Sequence, residues 1–383
     1  MFRKMLLLVL PSFFLFPCLA QEATPDEPLP KIRLGGALRF NYNLSTWKEG
    51  QIKRGGDFGY DMFRLNAIGS FSGISYDAEF RLYSAAFGGP MLKHGWFGYE
   101  FSEKSEIQLG LQQVPFGIQV YNSHNWFFNI TYYIGFEDDH DMGLKYIHDN
   151  GDWQWQVAYY LNSEEFVFDD VEGSPNRYSY DILGRNKENN QLNLKILTRK
   201  GKDRQHEIGF STMAGLLYNL DTERNGFRYA GAVHYEYKPS NTPWNLKAEW
   251  MTYLFDPAYP IAEANPNQVE MGAYGANYFV ANKGELFTLG LSYRLPVNAP
   301  PLESVTFYNN YGYYNKKVAD YEPSHMNVLG GMLTAGLMYI YVDSAWGYNH
   351  PWLGPEWSNA FVEGSSEKTK LHMRFNINMG VYF

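Results

Sequence analysis

Beyond its first twenty residues the chain contains no cysteine, so neither a disulfide nor a thiol can hold or operate the mature protein. No run of eighteen or more apolar residues follows that leader, which excludes a helical membrane span. Basic charge is scarce: 32 Lys and Arg stand against 41 Asp and Glu, a net −9. Acidity of that size argues against a nucleic-acid partner. The nine histidines are scattered, none with a second at metal-ligand spacing, and no phosphate-cradling glycine loop is present.

What is present begins with MFRKMLLLVLPSFFLFPCLA: Arg3 and Lys4, an apolar run, then a small residue at Ala20. This is the layout of a cleavable secretory signal, so residues 1–20 are expected to leave on export. Phe16 and Pro17 fit a lipid-attachment site poorly, and Cys18 is expected to leave with the leader. The remaining 383 minus 20, or 363, residues then carry −9 minus 2, or −11. They are rich in Tyr, Phe and Trp (31, 27 and 10 in the whole chain) and in Gly (36).

The last thirteen residues, LHMRFNINMGVYF, place Leu371, Met373, Phe375, Ile377, Met379, Val381 and Phe383 on one face and polar or small residues between them. Period two is the signature of a strand with one apolar face. The pattern recurs at 34–44, 62–71, 74–84, 95–101, 107–117, 144–148 and 153–161, and on through the chain to about sixteen strands. The connections SG, SEKS, DNGD, KGKD and KPSNTP are short and fall on one side. Long ones, at roughly 117–140, 162–188, 255–284 and 345–367, fall on the other. An exported, cysteine-free, aromatic-rich chain of this kind predicts an all-β fold. That fold is a transmembrane antiparallel β-barrel with short periplasmic turns and long external loops, after a periplasmic stub at 21–30 and spanning 31–383. The final aromatic, Phe383, is expected to sit in the periplasmic girdle and to serve as an assembly signal read by the barrel assembly machinery.

If the apolar faces meet lipid, the opposite faces line the interior. That places Arg33, Arg39, Arg64, Arg81, Lys145, Lys195, Arg228, Lys247, Arg294, Lys370 and Arg374 inward, with Asp77, Glu79, Glu100, Glu207, Glu236 and Glu249. Eleven basic residues against six acidic ones make a wall that favours anions or sugars, or else a set of ordinary wall-to-wall ion pairs. Two acidic clusters, Glu137, Asp138, Asp139 and Asp141, then Glu164, Glu165, Asp169, Asp170 and Glu172, match no calcium-loop spacing and are expected to be solvated, so neither a metal nor a cofactor is expected. Ser123-His124-Asn125 has the atoms of a hydrolase triad, but neighbours in sequence do not assemble one, and catalysis is not expected.

The segment GLQQVPFGIQ at 110–119, followed by an aromatic-rich stretch and Asp141-Met142-Gly143, resembles the G-x-x-x-x-P-F-G element of the phosphate-selective porin O/P family. The resemblance implies a sixteen-stranded outer-membrane porin, in this family commonly a homotrimer, whose third external loop folds inward. Here that loop would carry Pro115, Phe116, Gly117, His124, Trp126, Glu137, Asp138 and Asp139 as a constriction. Gln112 and Gln113 stand where the family often has a basic residue, which separates this chain from phosphate selectivity. The expected partners are outer-membrane lipids and small hydrophilic solutes or anions, passing by diffusion through a water-filled pore. A substrate-specific transporter and a non-conducting surface barrel remain the alternatives.

Overall fold

The computed structural model describes residues 31–164, 171–260, 265–363 and 370–383; the leader, the stub and the acidic residues Glu165, Asp169 and Asp170 lie outside them. Its strands, in chain order, are β1 (Lys31–Ser45), β2 (Asp57–Phe71), β3 (Ile74–Tyr83), β4 (Pro90–Ser102), β5 (Ser105–Gln113), β6 (His140–Asp149), β7 (Trp153–Ser163) and β8 (Asp181–Ile182). They continue as β9 (Asn186–Lys200), β10 (His206–Asn219), β11 (Arg224–Tyr237), β12 (Trp244–Asp256), β13 (Gln268–Ala273) and β14 (Ala276–Ala281). The last five are β15 (Lys283–Ala299), β16 (Leu302–Lys316), β17 (Ser324–Ala335), β18 (Met338–Tyr348) and β19 (His372–Tyr382).

Among the described residues, sixteen of these strands close into one barrel in which every pairing is antiparallel, with β12 joined to β15 and β19 joined back to β1. Closure satisfies every strand edge internally, the condition for crossing hydrocarbon with strands. The alternation read from the sequence sorts the two faces. Phe97, Val157, Leu192, Phe210, Tyr229, Leu289 and Phe307 point outward and are exposed. On the opposite face Lys195, Ser211, Arg228, Glu249, Asn310 and Asn376 are buried. Sixteen strands enclose more space than wall side chains alone can fill.

Three features depart from the sequence reading. The fifth strand was expected to run to Gly117, but it ends at Gln113, and Pro115-Phe116-Gly117 begins the loop. Proline offers no N–H to a ladder, and Gly117 lies at φ +56°, so the pleat cannot continue through them. Second, the long connections at 162–188 and 255–284 contain structure of their own: β8, β13 and β14 form a separate three-stranded sheet. Third, irregularities between Arg39 and Phe40 and between Glu79 and Phe80 each give the partner strand an extra residue, Asp61 and Lys93 respectively. Such bulges re-aim side chains, and these two send a charge inward that strict alternation would not assign.

Candidate functional site

The connection from Val114 to Asp139 is the third on its side of the barrel, and most of it is buried, Val120 and Tyr121 being exposed. Its polar groups are bonded to inward-facing side chains of five strands. The Gly117 amide donates to Ser211 Oγ at 3.1 Å, and the Ile118 amide to Glu249 Oε2 at 2.7 Å. The Asn122 side chain donates to Thr288 Oγ1 at 2.9 Å and to Glu249 Oε1 at 3.2 Å. The His124 amide reaches Asn310 Oδ1 at 3.1 Å, and the Trp126 amide reaches Asp343 Oδ2 at 3.3 Å. A side chain at Gly117 would collide with the Glu249 carboxylate, which together with its positive φ makes glycine the residue for this close approach.

Apolar packing holds the rest of the loop. The Phe136 ring lies 5.3 Å from Phe116, 5.4 Å from Tyr253 and 5.9 Å from Phe255, the last two on the inner face of β12. Beyond it, Phe128 stacks on Tyr132 at 4.0 Å, the Tyr132 hydroxyl meets that of Tyr274 at 2.5 Å, and Tyr278 donates to the Tyr133 carbonyl at 2.7 Å. The small β8, β13 and β14 sheet is thereby packed onto the third loop. Internally, Glu137 accepts from the amides of Asn122 (2.9 Å) and Asn129 (3.0 Å) and from the hydroxyls of Thr131 (2.9 Å) and Ser123 (3.2 Å). Burial nevertheless raises its pKa above the usual carboxylate range.

The acidic cluster expected to be solvated is therefore interior: Glu137, Asp138, Asp139 and Asp141 are all buried. Asp138 is held by Lys93 Nζ at 2.8 Å and the Tyr178 hydroxyl at 2.6 Å. Sequence alternation cannot find Lys93, because its inward aim comes from the bulge. Ser123 and His124 are likewise spent on the fold, His124 Nε2 lying 2.5 Å from Asn245 Oδ1. Burial and the nearby Lys247 lower the His124 pKa to about 4.

The charged wall divides in two. Lys145, Lys195 and Lys247 lie under the loop, donating to the Gln113 carbonyl (2.9 Å), Gln119 Oε1 (2.9 Å) and the Tyr121 carbonyl (2.7 Å). Arg228 is buried against Glu188 and, like Glu249, faces inward but is covered. On the strands around the barrel seam, Arg39 pairs with Asp61 at 2.9 Å, while Arg64 (3.1 Å) and Arg81 (2.5 Å) share Glu79. Arg81 also lies over the Tyr178 ring, and Arg374 over that of Phe127. Asp77 faces His94 at 3.0 Å, Glu207 binds Arg199 at 3.0 Å, and Glu236 binds Lys238 at 3.0 Å. Arg33, Arg294, Lys370 and Glu100 are exposed. The inward acids Asp61, Glu106, Glu188 and Asp343 were not in the sequence count. Alternation alone would have assigned Asp343 inward, since it lies between the outward Val342 and Ser344.

A cap residue yields one pH prediction. His350, in the last long loop, is buried, with its ring 4.6 Å from Tyr133 and 5.1 Å from Phe361. Burial, then the charge of Lys316, lowers its pKa to about 3. Unfolded histidine gains a proton near pH 6.5, so this site's stability is complete above that pH and is lost as pH falls toward 3. At pH 5 the loss should be about 2 kcal/mol. The difference in melting temperature between wild type and His350→Gln should shrink on going from pH 7.5 to 5; a constant difference would refute the assignment.

A closed sixteen-stranded antiparallel barrel with an apolar outer face and polar inner face defines the class: a transmembrane β-barrel of the outer-membrane type. Three solved structures of that class are similar over their whole length. The chain aligns with the outer membrane channel DcaP of Acinetobacter baumannii at TM-score 0.59 and 12% identity, covering 92% of this chain and 97% of that one. The anion-selective porin of Comamonas acidovorans gives 0.61 at 12%, covering 93% and 100%. OmpF of Salmonella typhi, solved with daunomycin, gives 0.61 at 12%, covering 92% and 98%. No protein-family model matches the chain, and no curated relative does.

Proposed function

We propose that this protein is a bacterial outer-membrane porin through which small hydrophilic solutes diffuse passively, with the third external loop narrowing the pore and an arginine-lined wall favouring anions. The observation that carries this reading is the bonding of the third loop to inward side chains of five strands. A loop fixed to the inner wall reduces the cross-section that sixteen strands would otherwise leave open. Facing it, Arg39, Arg64 and Arg81 form a basic ladder on adjacent strands, with Arg64 the most accessible of the three. The phosphate selectivity of the O/P family is not part of the proposal, given Gln112 and Gln113. The homotrimer is: the outward face of β16 and β17 carries a bonded pair, Asn309 to Asn327 at 3.0 Å, a polar feature on a lipid-facing wall that a second copy would cover.

The test is single-channel conductance of the purified protein in planar bilayers, with the reversal potential read under a salt gradient. Discrete open steps, grouped in threes for a trimer, and a reversal potential of anionic sign are expected. Arg64→Glu should then move the reversal potential toward cations, cutting the anion-to-cation permeability ratio about twofold. An unmoved potential would remove the wall from the mechanism, and silence from folded protein would favour a sealed surface barrel. The aromatic packing of Tyr180, Tyr274 and Tyr278 with Tyr132 of the third loop favours one further reading, a narrow substrate-specific channel. In that case a small conductance would be blocked by the solute it carries.

A further inference from the structure

Three carboxylates converge where the third loop meets β6 and the fourth. Asp139 ends the loop, Asp141 lies just inside β6, and Asp181 is in β8. One oxygen of each lies within 4.8 Å of the other two. All three residues are buried, at 6%, 1% and 1% exposed. Glu188 adds a fourth buried carboxylate, and Glu164 acts on Asp141 from the fourth loop. The cations at hand are Arg177, whose Nη1 is 2.7 Å from Asp181 Oδ2, and Arg228, paired with Glu188. Five acids against two guanidiniums leave −5 plus 2, or −3, if all are ionised.

A second observation is independent of the charge. Asp139 Oδ1, Asp141 Oδ1 and Gln191 Oε1 are buried acceptors with no hydrogen-bond partner. Gln191 is 3% exposed, and its Nε2 donates to Asp141 Oδ2 at 3.0 Å, which brings its amide group against that carboxylate. Buried acceptors are ordinarily satisfied, and several unsatisfied oxygens gathered at one point call for a cation. Oxygens bound to one calcium at 2.3–2.6 Å lie no more than roughly 4.6–5.2 Å apart, the spacing these carboxylates have. With carboxylate and amide oxygens and neither imidazole nor thiolate, the donor set suits a hard cation rather than a transition metal.

We propose that Asp139, Asp141 and Asp181, with the Gln191 amide oxygen, bind one calcium ion that ties the third external loop to the fourth and to the barrel wall. The ion joins β6, β8 and β9, so it would fix the loop's C-terminal end as Glu249 fixes its beginning. The site does not depend on the channel reading and is tested without conductance. Protein extracted from membranes in lipopolysaccharide-free detergent and stripped with EDTA is dialysed against calcium chloride, and bound metal is measured by mass spectrometry. One calcium per chain is expected, with a higher melting temperature than in EDTA. Asp139→Asn with Asp181→Asn should lower bound calcium at least about tenfold, whereas Glu172→Gln, on an exposed loop acid, should not. Should the double variant fail to fold, Gln191→Leu keeps every carboxylate and should still weaken binding. Wild-type protein that binds no calcium, or binding unchanged by both the double variant and Gln191→Leu, would overturn the proposal; protons would then neutralise the cluster.

Discussion

Glu249→Ala is expected to raise the open-channel conductance about twofold and to make the open level noisier, by releasing the first arm of the third loop from the wall. Glu249 is buried, and its two oxygens accept from the Ile118 amide and the Asn122 side chain. Alanine leaves the buried Ile118 amide facing no acceptor, at about 1–3 kcal/mol, and leaves the Asn122 side chain with only its bond to Thr288. The loop can regain those bonds by lifting toward water, and that movement widens the passage. Glu249→Gln is the discriminating control, because its amide oxygen still accepts from Ile118 and should hold conductance near the wild-type level. If alanine lowers the melting temperature but leaves conductance as it was, the loop is structural and does not gate the aperture.

Deletion of Phe383 should reduce the folded, heat-modifiable protein in the outer membrane by about tenfold, since it removes the last rung of the closing seam together with the aromatic at the chain end. The barrel closes between β1 and β19, and its last rung is reciprocal: the Gly36 amide donates to the Phe383 carbonyl at 2.7 Å, and the Phe383 amide to the Gly36 carbonyl at 3.0 Å. The ring is exposed on the barrel surface and lies against Gly36, where any side chain would strike it and the Arg64 carbonyl. Phe383→Tyr keeps rung and ring and should assemble normally. Phe383→Ala keeps only the rung, so its yield separates the backbone contribution from that of the aromatic. Normal yield from the deleted chain would show that neither is needed.

Much of the architecture was legible in the primary structure because a barrel wall is repetitive. A period of two, with lipid on one side and water or protein on the other, writes itself into residues such as Leu38, Phe40 and Tyr42 against Arg39, Asn41 and Asn43. Short turns such as Asn150-Gly151 and the count of alternating runs followed from the same local chemistry. The inward direction of Arg64, Lys195 and Glu249 belonged to that pattern too. It shows a side chain's face but is silent on what covers that face.

The interior itself was decided only in three dimensions. Whether Lys195 meets water or Gln119 depends on a loop residue 76 positions away in sequence, and loops carry no periodicity to read. The acids Glu137 to Asp141 looked like a solvated run because charge is normally left in water; the aromatic packing around Phe136 and Tyr178 draws them inside. The bulges that turn Asp61 and Lys93 inward depend on register with neighbouring strands, which no single strand encodes. Local alternation thus determined the wall, while long-range burial and hydrogen bonding determined how that wall is lined and where its charges are covered.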